Sequence, residues 1–260
     1  MKTFKKISKN NCFLISIIYL LFAFNYLCKG VDMHPKKIGH RGACGYEPEN
    51  TLRSFKKALD LNVDMVELDV HNCKSGELVV IHDEKIDRTT NGKGFVKDLT
   101  LDELKKYDAG LGEIIPTLEE VLDLIDRKVK VAVELKGKHT AAPVALLIEK
   151  YVKEKGWLYD DFLVISFMHD EVFEFKKLCL NVSVGLSFAK IPKDKKALEE
   201  EMNDIDYLVT SFKRINLKFI EQMDKKGVKV IAYTVNKTRD IKRMTDFGVY
   251  GIVSDYPDLI

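Results

Sequence analysis

Cysteine is scarce and poorly spaced for a framework. The 260-residue chain has five, and no two stand as CxxC, so a zinc ribbon is unsupported. There is one Trp, Pro and Gly occur at ordinary counts, and neither a low-complexity tract nor an internal repeat is present. Disordered, collagen-like and coiled-coil readings fall away with them. No linker rich in Pro, Gly or Ser divides the body, so one domain over residues 31–260 is expected. Acid is missing from one stretch: residues 1–30 hold five Lys and neither Asp nor Glu. The remainder carries 37 basic and 40 acidic side chains, a net of −3, which argues against a nucleic-acid partner.

That acid-free start reads as an export signal. Lys2, Lys5, Lys6 and Lys9 form a positive n-region, and an apolar run from Cys12 to Leu27 follows. Cys28-Lys29-Gly30 places small residues at the −3 and −1 positions of a cleavage site, which predicts a mature chain beginning at Val31. Retention as an anchor is disfavoured: the run is short for a span, and Asn25 interrupts it. Lipid attachment at Cys28 is disfavoured because Asn25-Tyr26-Leu27 lacks the small residues usual before such a cysteine. The expected product is an exported protein, whether periplasmic, surface-bound or secreted, with no stable membrane span after cleavage.

The body alternates short apolar runs with amphipathic segments. Strand candidates are Lys37–His40, Met65–Val70, Leu78–His82, Val129–Leu135, Phe162–Phe167, Val182–Phe188, Tyr207–Phe212, Val228–Val235 and Gly251–Ser254. Helix candidates are Thr51–Leu61, Leu101–Tyr107, Leu118–Ile125, Ala142–Lys155, Glu171–Cys179, Lys195–Met202, Leu217–Lys226 and Thr238–Phe247. Gly156, Gly227 and Gly248 stand where helices should stop. Repeated β-then-α units predict a parallel α/β sheet, open or closed. Nine strands are one too many for an eight-stranded barrel, and the link Asn72–Glu77 has no room for a helix. It is either a hairpin or a unit that lost its helix.

The chemistry gathers at strand ends. The first segment ends I-G-H-R-G with His40 and Arg41, and the second reads V-E-L-D-V with Glu67 and Asp69. The third ends V-V-I-H-D with His82 and Asp83, and the fourth reads V-A-V-E-L-K-G with Glu134 and Lys136. Residues two apart on a strand share a face, so Glu67 points with Asp69 and Glu134 with Lys136. Charge within apolar runs is costly unless paired or metal-bound. Three carboxylates offer a hard oxygen set suited to Ca²⁺ or Mg²⁺. His40 and His82 are candidate general base and acid, and Arg41 and Lys136 are candidate anion contacts. A lone ExD or a lone strand-end His is usually structural. Their joint occurrence in four successive segments points to phosphoester hydrolysis.

With those blocks in place, the chain resembles the glycerophosphodiester phosphodiesterase family. The stretch I-G-H-R-G-A-C-G-Y-E-P-E-N-T-L-R-S-F at 38–55 matches its opening signature. V-E-L-D-V at 66–70, V-V-I-H-D at 79–83, D-R-T-T-N-G at 87–92, P-T-L-E-E-V at 116–121, V-E-L-K at 133–136, T-V-N at 234–236 and S-D-Y-P at 254–257 follow in order. The resemblance implies a TIM-type (β/α)8 barrel, irregular around the second and third strands. It also implies hydrolysis of glycerophosphodiesters to sn-glycerol 3-phosphate and an alcohol. By motif it puts metal on Glu67, Asp69 and Glu134, acid–base work on His82 and His40, and phosphate contacts on Arg41 and Lys136. Glu49 takes a supporting role. One departure is Tyr233, where the family often has Trp before T-V-N.

Other readings of the same residues are a lysophospholipase D, a cyclising phospholipid phosphodiesterase, and a non-catalytic barrel that only binds. Cys44 and Cys73 follow neighbouring segments, which makes one bridge between them an expectation in an exported chain, with Cys179 left as a buried thiol. His139 and His169 read as neighbours of helix starts. The sequons at Asn181 and Asn236 carry weight only in a eukaryotic secretory route, and Lys193–Glu201 reads as a solvated helix face.

Overall fold

The computed structural model describes residues 34–191 and 202–260. All nine expected strands form, each within two residues of its predicted end: β1 (Lys36–Gly39), β2 (Met65–Asn72), β3 (Leu78–Val80), β4 (Lys130–Leu135), β5 (Phe162–Ser166), β6 (Ser183–Phe188), β7 (Tyr207–Ser211), β8 (Lys229–Tyr233) and β9 (Gly251–Ser254). Eight close into a parallel ring, with β1 bonded to both β2 and β9. The sheet is therefore a TIM-type barrel. The surplus strand is β3, which runs antiparallel to β2 and lies outside the ring. Asn72–Glu77 is thus a hairpin link. Strand β2 is long enough to serve both roles: Met65 and Val66 pair with β1, while Val70 to Asn72 pair with β3.

Helices cover the ring where local signals start and stop them. Thr51 caps α1 (Leu52–Asp60) by accepting the Ser54 N–H. A short α2 (Leu101–Leu104) and then α3 (Leu118–Ile125) begin with reciprocal capping boxes, Thr100 with Glu103 and Thr117 with Glu120. They are followed by α4 (Ala141–Glu154), α5 (His169–Leu178), α6 (Leu217–Asp224) and α7 (Thr238–Phe247). Gly156, Gly227 and Gly248 all take left-handed φ after their helices. The helix expected over Lys195–Met202 lies outside the described residues except for Met202, as do the leader and the Lys193–Glu201 run.

Alternation along each strand splits the core in two. Outward residues such as Val66, Leu68 and Val70 pack under the helices. Inward residues such as Ile38, Met65, Ala132, Leu163, Val209, Ile231 and Val253 fill the ring. Two residues further along the same inward rows come the charged side chains. Met65 is followed by Glu67 and Asp69, and Ala132 by Glu134 and Lys136. The apolar layers thus close the floor, and the carboxylates sit toward the strand C-termini. A third apolar cluster, with Val79, Ile81, Ile86, Val96, Leu104 and Ile115, gives the excursion between β2 and α3 its own core.

The expected Cys44–Cys73 bridge does not form: both thiols are free. Strand β2 ends at Asn72, and Cys73 lies four residues beyond Asp69, roughly 13 Å at strand rise. Cys73 then turns into the excursion beside Glu77, whereas Cys44 stays at the mouth against Asp255. Cys179 is a buried thiol, as expected. No helix among the described residues is long and apolar enough to cross a membrane.

The turn after β1 is the tightest part of the frame. Gly42 has φ +87°, and a Cβ there would lie 2.5 Å from Ser54 Oγ and 2.6 Å from the Ser54 carbonyl carbon. We predict that Gly42→Ala lowers the unfolding free energy by at least about 1 kcal/mol in urea titration, since it adds both backbone strain and a backbone clash. A variant as stable as the parent would contradict this packing.

Candidate active site

Glu67 and Asp69 rise from β2, and Glu134 stands opposite Asp69 on β4 in register. All three are buried, and each offers a carboxylate oxygen within 4.8 Å of the others. Burial, reinforced by the neighbouring charges, pushes Glu67 well above the ordinary carboxyl range and Glu134 up to about 7. Two cations offset part of this charge. Lys136 Nζ donates to Glu134 Oε1 at 3.1 Å and lies 3.9 Å from Asp69 Oδ1. Arg41 takes left-handed φ, 51°, which lets its backbone N–H donate to Glu67 Oε2 at 3.0 Å. Its guanidinium meanwhile lies 3.3 Å from Asp69 and donates to Glu49 at 2.7 Å. Burial alone would lower the Arg41 pKa, but the charges of Asp69, Glu67 and Glu49 outweigh it and raise it.

Compensation is incomplete. Asn50 donates to Asp69 Oδ2 at 2.8 Å, yet buried Asp69 Oδ1 accepts no hydrogen bond. An orphaned buried carboxylate oxygen among three acidic side chains fits a hard divalent cation. Glu67, Asp69 and Glu134 are the residues that could hold one.

The two histidines arrive by different routes. His40 directly follows β1, with its backbone N–H on the Ser254 carbonyl. Its Nδ1 is 2.5 Å from Asp255 Oδ1, and Asn236 donates to the other Asp255 oxygen at 2.6 Å. Burial opposes ionisation of Asp255, but the hydrogen bonds from His40, Cys44 and Asn236 prevail and hold it at about 2. His82 comes from outside the ring. Antiparallel β3 returns along β2 until the Ile81 N–H meets the Asp69 carbonyl, which brings the next residue to the level of the carboxylates. His82 Nδ1 is 2.6 Å from Asp83 Oδ1, and Arg88 fixes Asp83 with Nε at 2.7 Å. His71, kept toward the neutral form mainly by burial, donates from Nε2 to the His82 carbonyl at 3.1 Å. In both His40 and His82, Nδ1 is engaged by a carboxylate. Nε2 of each has no hydrogen-bond partner among the described residues, which suits it to proton transfer.

His40, Arg41, Glu67, Asp69, His82, Glu134 and Lys136 are thus brought together at this end of the barrel. Sequence reasoning gave no role to Asp255, Asn236, Asn50, His71 or Arg88. Asp255 and Asn236 lie inside the S-D-Y-P and T-V-N blocks, and Asn50 inside P-E-N-T. His71 was readable by alternation, two residues beyond Asp69 on the same row. Arg88 lies inside the D-R-T-T-N-G block, but its partner Glu49, bonded at 2.7 and 2.8 Å, is 39 residues away and could not be read from that block. Tyr233 forms part of a wall, with its hydroxyl donating to the Phe188 carbonyl at 3.1 Å and its ring edge-on to Phe167.

The profile of the glycerophosphoryl diester phosphodiesterase family matches residues 40–259, which takes in all of these positions. The chain belongs to the glycerophosphoryl diester phosphodiesterase family. It is accordingly a phosphoric diester hydrolase. A glycerophosphodiester phosphodiesterase of Caldanaerobacter subterraneus is 39% identical over 235 residues, covering 86% of this chain and 95% of the relative. One from Bacillus subtilis is 34% identical over 257 residues, covering 89% and 88%. Among solved structures, an Oleispira antarctica phosphodiesterase in complex with the product sn-glycerol-3-phosphate superposes with a TM-score of 0.78 at 29% identity, covering 86% of this chain and 94% of that one. With both histidines and all three carboxylates of the family motifs present and converging, the reading as a barrel that only binds loses its basis.

The raised carboxyl of Glu134 has a consequence for stability. Between the ordinary carboxyl value and about 7, the folded chain keeps a proton that the unfolded chain has released. Stability from this group is present at the acidic end of that window and is lost as pH rises through it. Buried His71 and partly exposed His82, whose pKa values are lowered by burial, act in the opposite sense, so the comparison must be differential. In chelator, Glu134→Gln is predicted to gain stability relative to the parent as pH is raised from about 5 to about 7.5. A constant difference in urea-unfolding free energy across that range would refute the assignment.

Proposed function

We propose that the chain hydrolyses glycerophosphodiesters to sn-glycerol 3-phosphate and an alcohol, with a divalent ion on Glu67, Asp69 and Glu134 and two histidines moving the protons. The observation that carries this reading is the orphaned Asp69 oxygen among three buried carboxylates, beside two carboxylate-backed imidazoles. The product held by the Oleispira phosphodiesterase supports the substrate class. When bound, the ion supplies positive charge for the phosphoryl oxygens and relieves the carboxylate repulsion.

The chain's own groups account for the remaining steps. Arg41 and Lys136 add positive charge on either side of Asp69, where the diester's anionic oxygens need it. His40 removes the nucleophile's proton at Nε2, and Asp255 stabilises the imidazolium that forms. His82 protonates the leaving alkoxide from Nε2. Burial holds His82 below the usual histidine range, but Asp83 and the arriving anionic diester both favour its charged form. The nucleophile is water or the substrate's own 2-hydroxyl, and a cyclic phosphate intermediate marks the latter.

The test is product analysis with glycerophosphocholine, run beside lysophosphatidylcholine. We expect sn-glycerol 3-phosphate from the first, loss of activity in chelator, and recovery with Mg²⁺ or Ca²⁺. His40→Ala and His82→Ala should each cut kcat by at least about 100-fold, and each should lose one limb of a bell-shaped pH profile. The double variant should lose less than the product of the two. Full activity after verified metal removal, or a faster reaction on the lysophospholipid, would overturn the reading.

Export through residues 1–30 is part of the same proposal, supported by the Lys-rich start and the apolar run. The exported protein should then begin at Val31 by N-terminal mass analysis. An exported chain that retains residues 1–30 would refute cleavage.

A further inference from the structure

A second group of ligand atoms lies at the mouth and is unlike the first. His40, Cys44 and Asp255 each offer one donor atom, all within 4.8 Å of one another. Cys44 Sγ is 3.1 Å from Asp255 Oδ1 and 3.7 Å from His40 Nδ1, and Nδ1 is 2.5 Å from the same Asp255 oxygen. The three come from the end of β1, the turn after it and the residue following β9, so the barrel closure itself assembles them. All three are partly exposed, so an ion can reach them from solvent.

We propose that His40, Cys44 and Asp255 form a second metal site, selective for a borderline-soft ion such as Zn²⁺, whose occupancy inhibits the enzyme. The chemistry of the donors separates the two sites. Glu67, Asp69 and Glu134 offer oxygen alone, which suits Mg²⁺ or Ca²⁺. A thiolate, an imidazole nitrogen and one carboxylate form a three-ligand set typical of zinc, with a fourth position left for water. Tetrahedral bonds at zinc lengths put N and S about 3.5 Å apart, close to what His40 and Cys44 already show. The Asp255 oxygen needs to draw back by under ~1 Å to reach the corresponding spacing. Binding releases the Cys44 thiol proton to solvent, and the metal takes the place of the His40 Nδ1 proton, which moves to Nε2 of the neutral ring. It therefore breaks the His40–Asp255 hydrogen bond and places a positive charge on the imidazole. A metallated ring no longer has a carboxylate to stabilise a second positive charge, and it loses basicity at Nε2. The inhibitory consequence rests on His40 being the general base, but the binding itself does not.

Two readouts separate these statements. Cobalt(II) added to the full chain, with the carboxylate site saturated by Mg²⁺, should produce a near-ultraviolet thiolate-to-metal absorption band. The band should persist in Cys73→Ser and vanish in Cys44→Ser, whose hydroxyl is a poor ligand for a soft ion. No band at saturating cobalt, or a band that survives in Cys44→Ser, overturns the site. Zinc should inhibit glycerophosphocholine hydrolysis at saturating Mg²⁺. In Cys44→Ser, scaled to its own zinc-free rate, half-inhibition should need more than about tenfold more zinc, since even outer-shell partners are worth that much in affinity. Equal zinc sensitivity in the two proteins overturns the inhibitory role. A Cys44-dependent band without inhibition leaves the site standing and removes His40 from its part as base.

Discussion

Burial of three carboxylates at one end of a barrel is the constraint around which this structure is arranged. Asp69 is 1% exposed and Glu67 is 4% exposed, so neither can rely on water for its charge. Each nearby oddity of the chain answers that demand. Arg41 adopts a left-handed backbone and serves Glu67 with its amide and Asp69 with its guanidinium. Asn50 is also left-handed, and its side chain reaches Asp69. Lys136 stands one position along the inward row from Glu134 and neutralises it. Even so, one Asp69 oxygen stays unsatisfied and both glutamates hold their protons too tightly for simple carboxylates. Without a cation, this arrangement costs stability.

The ring alone positions only half of the candidate site. His40, Asp255 and Asn236 follow β1, β9 and β8 respectively, and meet because the barrel closes. His82, Asp83 and Arg88 belong to the excursion after β2, which has its own apolar core and is not part of the ring. The two halves are tied by Glu49, whose carboxylate binds Arg41 on one side and Arg88 on the other. These bonds and the two arginines hold Glu49 ionised despite its burial. The ion-pair chain from Asp69 through Arg41, Glu49 and Arg88 to Asp83 thus links the three-carboxylate cluster to the carboxylate behind His82.

Much of this was legible in the residues themselves. Strand and helix positions follow from local periodicity and capping, which is why the strand ends and α3, with its Thr117 box, fall where expected. The inward direction of Glu67, Asp69, Glu134 and Lys136 follows from the two-residue period once the apolar partners are placed. Sequence blocks in order and at fixed spacing carried the family. Tertiary structure decided what depends on closure and on long-range pairing. Whether nine strands make an open sheet or a ring with one strand outside it was settled by the β1–β2 and β1–β9 ladders, which join residues far apart in the chain. The Asp255 partner of His40 lies 215 residues away, and no periodicity reaches that far. The Cys44–Cys73 expectation failed for the same reason. Neighbouring segments put two cysteines near one end of the sheet, but the length of β2 and the turn into β3 decide how far apart they lie.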